Sequence, residues 1–172
     1  MWFRISIILI ATMLVGACAN KFKTDHFTGP STPISSASGA LIMIPEDGQY
    51  DGRPYQGSGR MLSNQIEVAL SPRVMRVGTT TQKDLPAALA QARSEGFDYV
   101  IEPKILHWED RATEWSGRPD RITIKIVVWE TATGRSVSTS QERASSRWAT
   151  LGGDHPQDLL PKLLESWSSR VS

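Results

Sequence analysis

Ala40-Leu41-Ile42-Met43-Ile44 is an unbroken run of five apolar residues, closed by Pro45-Glu46-Asp47-Gly48. A run this short, with no polar residue in alternation, predicts a strand buried on both faces. Such strands belong to parallel sheets with helices on either side. The next stretch supplies a helix. From Arg60 the period changes, and Met61, Leu62, Gln65, Ile66, Ala69 and Leu70 fall on one helical face, with Ser58 or Gly59 as cap and Pro72 as stop. Residues 74–77 read as a second short strand. Asp84 then caps a second helix with Pro86 in its first turn; Leu85, Ala88, Leu89 and Ala92 form its inner face and Gly96 ends it. Residues 97–108 read as a third strand, and Pro103 inside it predicts an edge position or a bulge. Strand, helix, strand, helix, strand predicts a parallel core with right-handed crossovers.

The second half alternates instead. Ile122, Ile124, Ile126 and Val128 interleave with Thr123, Lys125, Val127 and Trp129, the pattern of a half-buried strand. Thr131-Ala132-Thr133-Gly134 reads as a hairpin turn and residues 137–148 as the returning strand. Leu159, Leu160, Leu163, Leu164, Trp167 and Val171 mark a final amphipathic helix. It should begin near Asp158, so that Pro161 falls in the first turn. The expectation is one α/β (α+β) domain of two or three layers, in the order β-α-β-α-β-β-β-α. Its sheet is mixed: the first three strands parallel, the last three an antiparallel meander.

Ahead of this domain lies a different kind of sequence. Arg4 supplies one charge, residues 5–15 are apolar except for Ser6 and Thr12, and Gly16-Ala17 precede Cys18. Charge, apolar run and small-residue exit form an export signal. The run falls short of the roughly 20 apolar residues that span a bilayer. Residues 1–17 are therefore assigned as signal peptide, 18–39 as a modified Cys and a flexible tether rich in Gly, Pro and Ser, and 40–172 as the domain. Cleavage leaves 155 of the 172 residues and takes the formal charge from +1 to 0. A neutral chain gives no support to nucleic-acid binding by bulk charge. Cys18 is the single cysteine, so the chain can form no internal disulfide and no Cys-based zinc site.

Leu14-Val15-Gly16-Ala17-Cys18 resembles the lipobox of bacterial lipoproteins. The resemblance implies that the Cys18 thiol carries diacylglycerol, that the peptide before it is cut, and that the new amine takes a further chain such as palmitate. Each buried CH₂ adds about 0.8 kcal/mol, so two or three chains hold a soluble domain durably. Ala19 stands where, by the sorting rule of enteric bacteria, Asp would retain the protein at the inner membrane; the resemblance implies the outer membrane, with the domain facing the periplasm. Longer stretches look like a proteobacterial lipoprotein family catalogued as a domain of unknown function. These are Pro45-Glu46-Asp47-Gly48, Gly57-Ser58-Gly59-Arg60, residues 105–120 and residues 152–160. That resemblance covers nearly the whole chain and implies a location, with no activity and no site residue to carry over. The element order is also similar to the amino-terminal domain of TolB and to the periplasmic domains of CsgG and LpoB, a likeness of topology and not of motif.

Residues 107–120 gather the densest chemistry: His107, Trp108, Glu109, Asp110, Arg111, Trp115, Arg118 and Asp120. Trp108 and Trp115 have the rings to stack on sugars, and the acids and arginines have the groups to bind hydroxyls or carboxylates. The bland reading is a turn tied by Arg–carboxylate pairs, its tryptophans covering the sheet. Glu109, Asp110 and Glu114 would serve a glycosidase only with two carboxyls about 5 to 9.5 Å apart across a sugar, which no sequence shows. His107, Asp154, His155 and Asp158 lack any usual zinc spacing, and Asp154 or Asp158 serves more simply as a helix cap. Gly57-Ser58-Gly59-Arg60 opens a helix whose bare N–H groups suit an anion, without the ending of a P-loop. No catalytic residue, metal or cofactor is assigned. Strands three and five of the expected sheet run the same way, so residues 107–120 and 152–158 should leave it at one edge, about 9.5 Å apart. Arg111 or Arg118 would then pair with Asp154, or His155 and its neighbours would share a binding surface with the exposed tryptophans. The role expected is a lipid-anchored binding or accessory module of the cell envelope, with a protein or peptidoglycan partner. The alternative is a small envelope glycan hydrolase using carboxylates of residues 107–120.

Overall fold

The computed structural model describes residues 20–30, 33–110, 119–146 and 155–172. Its strands are β1 (Lys21–Thr28), β2 (Gly39–Met43), β3 (Gln49–Tyr50), β4 (Arg53–Pro54), β5 (Arg76–Thr80), β6 (Tyr99–Glu109), β7 (Arg121–Glu130) and β8 (Ser136–Ser145). The helices are α1 (Ser58–Leu70), α2 (Leu85–Glu95) and α3 (Leu160–Val171), the last entered through a 3₁₀ turn, Pro156–Leu159. Six strands form one mixed sheet in the order β1-β8-β7-β6-β2-β5; β3 and β4 pair separately. β2 runs parallel to both β5 and β6, while β6, β7 and β8 form an antiparallel meander, as the two sequence patterns require.

Every residue of β2 is buried, because alternate side chains enter different cores. Ala40 and Ile42 face the larger one, where Leu62, Ile66 and Leu70 of α1 and Leu163, Leu164 and Trp167 of α3 close over Ile122, Ile124, Ile126 and Val128 of β7. Leu41 and Met43 face the smaller one, under Ala88, Leu89 and Ala92 of α2. The sheet is thus the middle of three layers.

Local signals placed most boundaries. Asp84 accepts a hydrogen bond from Ala87 N–H at 2.9 Å, and Gly96 closes α2 at φ 71°. β6 pairs with β2 only through Tyr99–Ile101 partners, so beyond them its flank is free and Pro103 sacrifices no ladder bond there. The register slips once more between Ile105 and His107, a bulge. Other boundaries moved. α1 starts at Ser58, and its inner face includes Ser63, which donates to Met43 O and Gly59 O at 3.1 Å each, whereas Met61 is exposed and Gln65 only half-buried. The second strand of the parallel core is β5, two residues later than 74–77, because pairing runs from Gly39 against Arg76 to Met43 against Thr80.

The flexible tether over 18–39 needs correction. Lys21–Thr28 is a strand, antiparallel to β8 at the edge of the sheet. Thr24 Oγ1 donates to Glu142 Oε2 at 2.8 Å, and Ile34 is buried with its N–H bonded to Val171 O. The folded domain therefore begins well before residue 40.

Candidate functional site

The described parts of the four stretches singled out in the sequence meet at one end of the sheet. Asp47 reaches the start of α1: its Oδ2 accepts from Gly57 N–H at 3.0 Å and its Oδ1 from Gly59 N–H at 2.8 Å. The bonds from Gly59 and Gly57 stabilise the ionised form, with Gly59 contributing most, and hold the carboxyl below its ordinary 3.8. The N–H groups that suit an anion are thus taken by the chain's own carboxylate. Gly48 N–H donates to Ser58 Oγ at 2.8 Å, and Ser58 Oγ donates to Tyr55 O at 2.7 Å. Two glycines let these segments close up. A Cβ on Gly59 would stand 2.3 Å from Pro45 O, and one on Gly48 would stand 2.6 Å from Trp108 Cβ.

Trp108 itself is core, 2% exposed and packed with the β7 isoleucines. It closes the sheet end from inside and offers no face to a sugar. Glu109 is 3% exposed, with Oε2 3.0 Å from His107 Nε2, and His107 sets its ring edge-on to Tyr50, centroids 5.6 Å apart. Asp110, at the end of β6, joins the other segments. Its backbone oxygen accepts from Tyr55 Oη at 2.8 Å, and its Oδ1 lies 3.4 Å from His155 Nδ1. His155 N–H in turn donates to Asp158 Oδ2 at 3.1 Å, a capping box that starts the 3₁₀ turn. Asp158 is therefore the third residue of that box, and His155 occupies the cap position. Asp120 is buried; its N–H donates to Ser146 Oγ at 2.9 Å and Ser146 N–H returns a bond to Asp120 O at 3.0 Å.

Of the sequence candidates, the structure brings Asp110 and His155 together at the surface and leaves His107 half-exposed. It buries Trp108, Glu109 and Asp120. Arg111, Trp115, Arg118 and Asp154, with the Arg–Asp154 pairs drawn from them, lie outside the described residues, as do Glu114 and Cys18. Glu109 is buried beside His107, whereas Asp110 lines a cleft that Glu109 does not reach, so the two carboxyls do not share a site as an acid and a base. A cleft of about 430 Å³ opens beside Asp110, lined also by Tyr55, Gln56, Met61, Gln157 and an edge of Trp108. Sequence reasoning missed Tyr55 and Gln56, took Met61 for an inner helix position, and gave Gln157 no role of its own. The usable signal was the placement of residues 51–57 between two stretches that had already been singled out. A larger cleft of about 510 Å³ lies where β2 parts from β6, between Glu46 and Leu106. Three of its charged side chains already have partners: Lys104 Nζ is 2.9 Å from Glu102 Oε1, Glu102 Oε2 accepts from Trp129 Nε1, and Lys83 Nζ donates to Ile44 O. Among the described residues, no three His, Cys, Asp or Glu side chains cluster as metal ligands, and no helix is long and apolar enough to cross a membrane.

Residues 34–171 match the family described as a domain of unknown function, DUF4823. The chain belongs to that family. No curated protein matches it. Among solved structures, the DUF4823 domain is similar to PelC from Paraburkholderia phytofirmans, solved as a dodecamer, with 10% identity, TM-score 0.70, 89% of this chain and 97% of that one. It is similar also to XCC0632 from Xanthomonas campestris, a member of DUF330, with 11% identity, TM-score 0.51, and 83% and 90% covered. Lipoprotein GNA1162 from Neisseria meningitidis shares 13% identity at TM-score 0.49, over 78% and 97%. At these identities the PelC and XCC0632 likenesses establish the fold.

Proposed function

We propose that this DUF4823 chain is a lipoprotein anchored through Cys18 to the outer membrane, whose periplasmic domain is a binding or accessory module of the cell envelope. The observation that carries the binding reading is the shape and chemistry of the Asp110 cleft. It is open and mixed in lining, bounded by Tyr55, Met61 and Gln157, and built where the four stretches are tied together. Aromatic, Met and amide groups around a shallow cleft suit contact with a protein segment or a glycan strand. Glu109 is buried and does not line this cleft, which weighs against a hydrolase that pairs it with Asp110.

The test is site-specific photocrosslinking in intact envelopes, with the crosslinker at Met61 or Gln157 and, as control, at the exposed Met75, beyond the opposite, C-terminal end of α1. Discrete adducts from the cleft positions alone, to an envelope protein or to peptidoglycan, are expected. Equal adducts from Met75, or none from the cleft, would contradict the proposal. Because PelC was solved as a dodecamer, the mass of the adduct also shows whether the partner is a further copy of the chain. Release of soluble fragments from purified peptidoglycan, lost in Asp110→Asn, would turn the assignment to the hydrolase.

A further inference from the structure

The sheet has one face that no described helix covers beyond its β2–β5 side. Ile122, Ile124, Ile126 and Val128 point to the large core, so Arg121, Thr123, Lys125 and Val127 point the other way. Cross-strand partners share a face. Lys104 stands opposite Lys125, Arg143 opposite Thr123, Lys23 opposite Arg143, and Lys21 and Arg121 both opposite Ser145. α2 lies over β2 and the first residues of β6, leaving this surface open. Among the described residues it carries six cations, Lys21, Lys23, Lys104, Arg121, Lys125 and Arg143, against Asp25, Glu102 and Glu109. The mature chain as a whole is neutral, so this is a concentration of charge. Asp25 lies between Lys23 and Arg143, 3.1 Å and 2.8 Å from them, and Glu102 pairs with Lys104 at 2.9 Å, yet the face still holds three more cations than acids. That excess points to an anionic surface as its counterpart.

The anchor supplies the position. Three peptide steps separate Cys18 from Lys21 and span at most about 11 Å. Lys21 is already in the sheet, in one row with Ser145, Arg121 and Glu109. A chain lipidated at Cys18 cannot hold this domain far from the bilayer. We propose that the open basic face of β6-β7-β8-β1 lies against the anionic phosphodiester headgroups of the membrane that holds the anchor, with α1 and α3 turned away from it. This rests on the Cys18 anchor proposed above. Headgroup charge attracts basic side chains within about a Debye length, some 8 Å at physiological salt, and the link of at most about 11 Å keeps the Lys21 end of the face close to that range.

Because a lipidated Cys18 leaves no free thiol, single cysteines report cleanly. The full lipidated chain carrying Gln141→Cys on the basic face, or Val68→Cys on the exposed side of α1, is reconstituted into two kinds of vesicle. One is phosphatidylcholine alone; the other contains about one-quarter phosphatidylglycerol. Reaction with a charged, membrane-impermeant maleimide is timed. In the anionic vesicles the thiol at position 141 should react about tenfold more slowly than in neutral ones, with position 68 unchanged, and about 1 M salt or Lys23→Glu with Lys125→Glu should restore the rate. Equal rates in the two vesicles, for protein that floats with both, would overturn the orientation while leaving the anchor standing. Protection that persists in detergent without lipid would assign the face to a protein partner and overturn the proposal as well. Protein that floats with neither vesicle would remove the anchor and the proposal together.

Discussion

Single atoms decide whether the cleft end of the domain can close. Gly59→Ala places a methyl on Pro45 O, a backbone atom that cannot swing aside. The expected loss is about 1–3 kcal/mol in urea unfolding, the scale of an overpacked site. Ala at the exposed, helical Arg60 next door should change little. Asp47 gives a pH signature. Its folded pKa lies below the ordinary 3.8, so its contribution is complete above that value and disappears as pH falls through the folded one. Asp47→Asn should cost about 1 kcal/mol near neutrality, as a lost cap does, and the gap to the unsubstituted protein should shrink below pH 3.8. A gap that widens in acid would contradict the assignment. Asp84 and Gly96 were legible because cap and stop act within one helical turn. Asp47 was not, because its partners lie ten and twelve residues on and the contact exists only after the loop has folded.

Among elements, β1 shows where pattern reading stops. Phe22 and Phe27 are five residues apart, which period two sends to opposite faces. A bulge between Thr24 and His26 absorbs one residue, so Phe22 stands opposite Ala144 and Phe27 opposite Ser140, both on the helix side. There α3 lies beside them, with Lys162 over the Phe22 ring and Arg170 over the ring of Phe27, which stays exposed. An edge strand with charges on its open face and a bulge in its middle reads as a linker. The meander was legible because Ile122, Ile124, Ile126 and Val128 keep one period without a break. The contact that fastens β1, β8 and α3 is Glu142, fully buried, bonded to Thr24 and Arg170. Arg170→Ala leaves that carboxylate without its cation and should cost about 3–5 kcal/mol, whereas Glu142→Leu with Arg170→Met should come close to the original stability. Thermal unfolding of the three variants reads this directly. A double variant as unstable as Arg170→Ala would show that the polar tie is needed in itself.

For the whole molecule, the element order and the mixed sheet were legible in the sequence, while the choice between two and three layers and the character of the surface were not. Burial of Trp108, Glu109 and Asp120 turned three of the five described candidates of the densest stretch into structure, and among the described residues the part that faces solvent is His107, the Asp110–His155 contact and the cleft beside it. The β1 strand changes the picture of attachment. With Cys18 lipidated as proposed, a domain joined to its lipid by three peptide steps is held at the membrane, and the cleft lies at the sheet end where that strand begins. Everything proposed about partners and orientation depends on Cys18. Metabolic labelling with radioactive palmitate, followed by separation of inner and outer membranes, tests it most directly. The account predicts a labelled mature band in the outer membrane and an unlabelled, uncleaved or soluble Cys18→Ala protein. Label persisting in Cys18→Ala, or an unlabelled native chain, would contradict it.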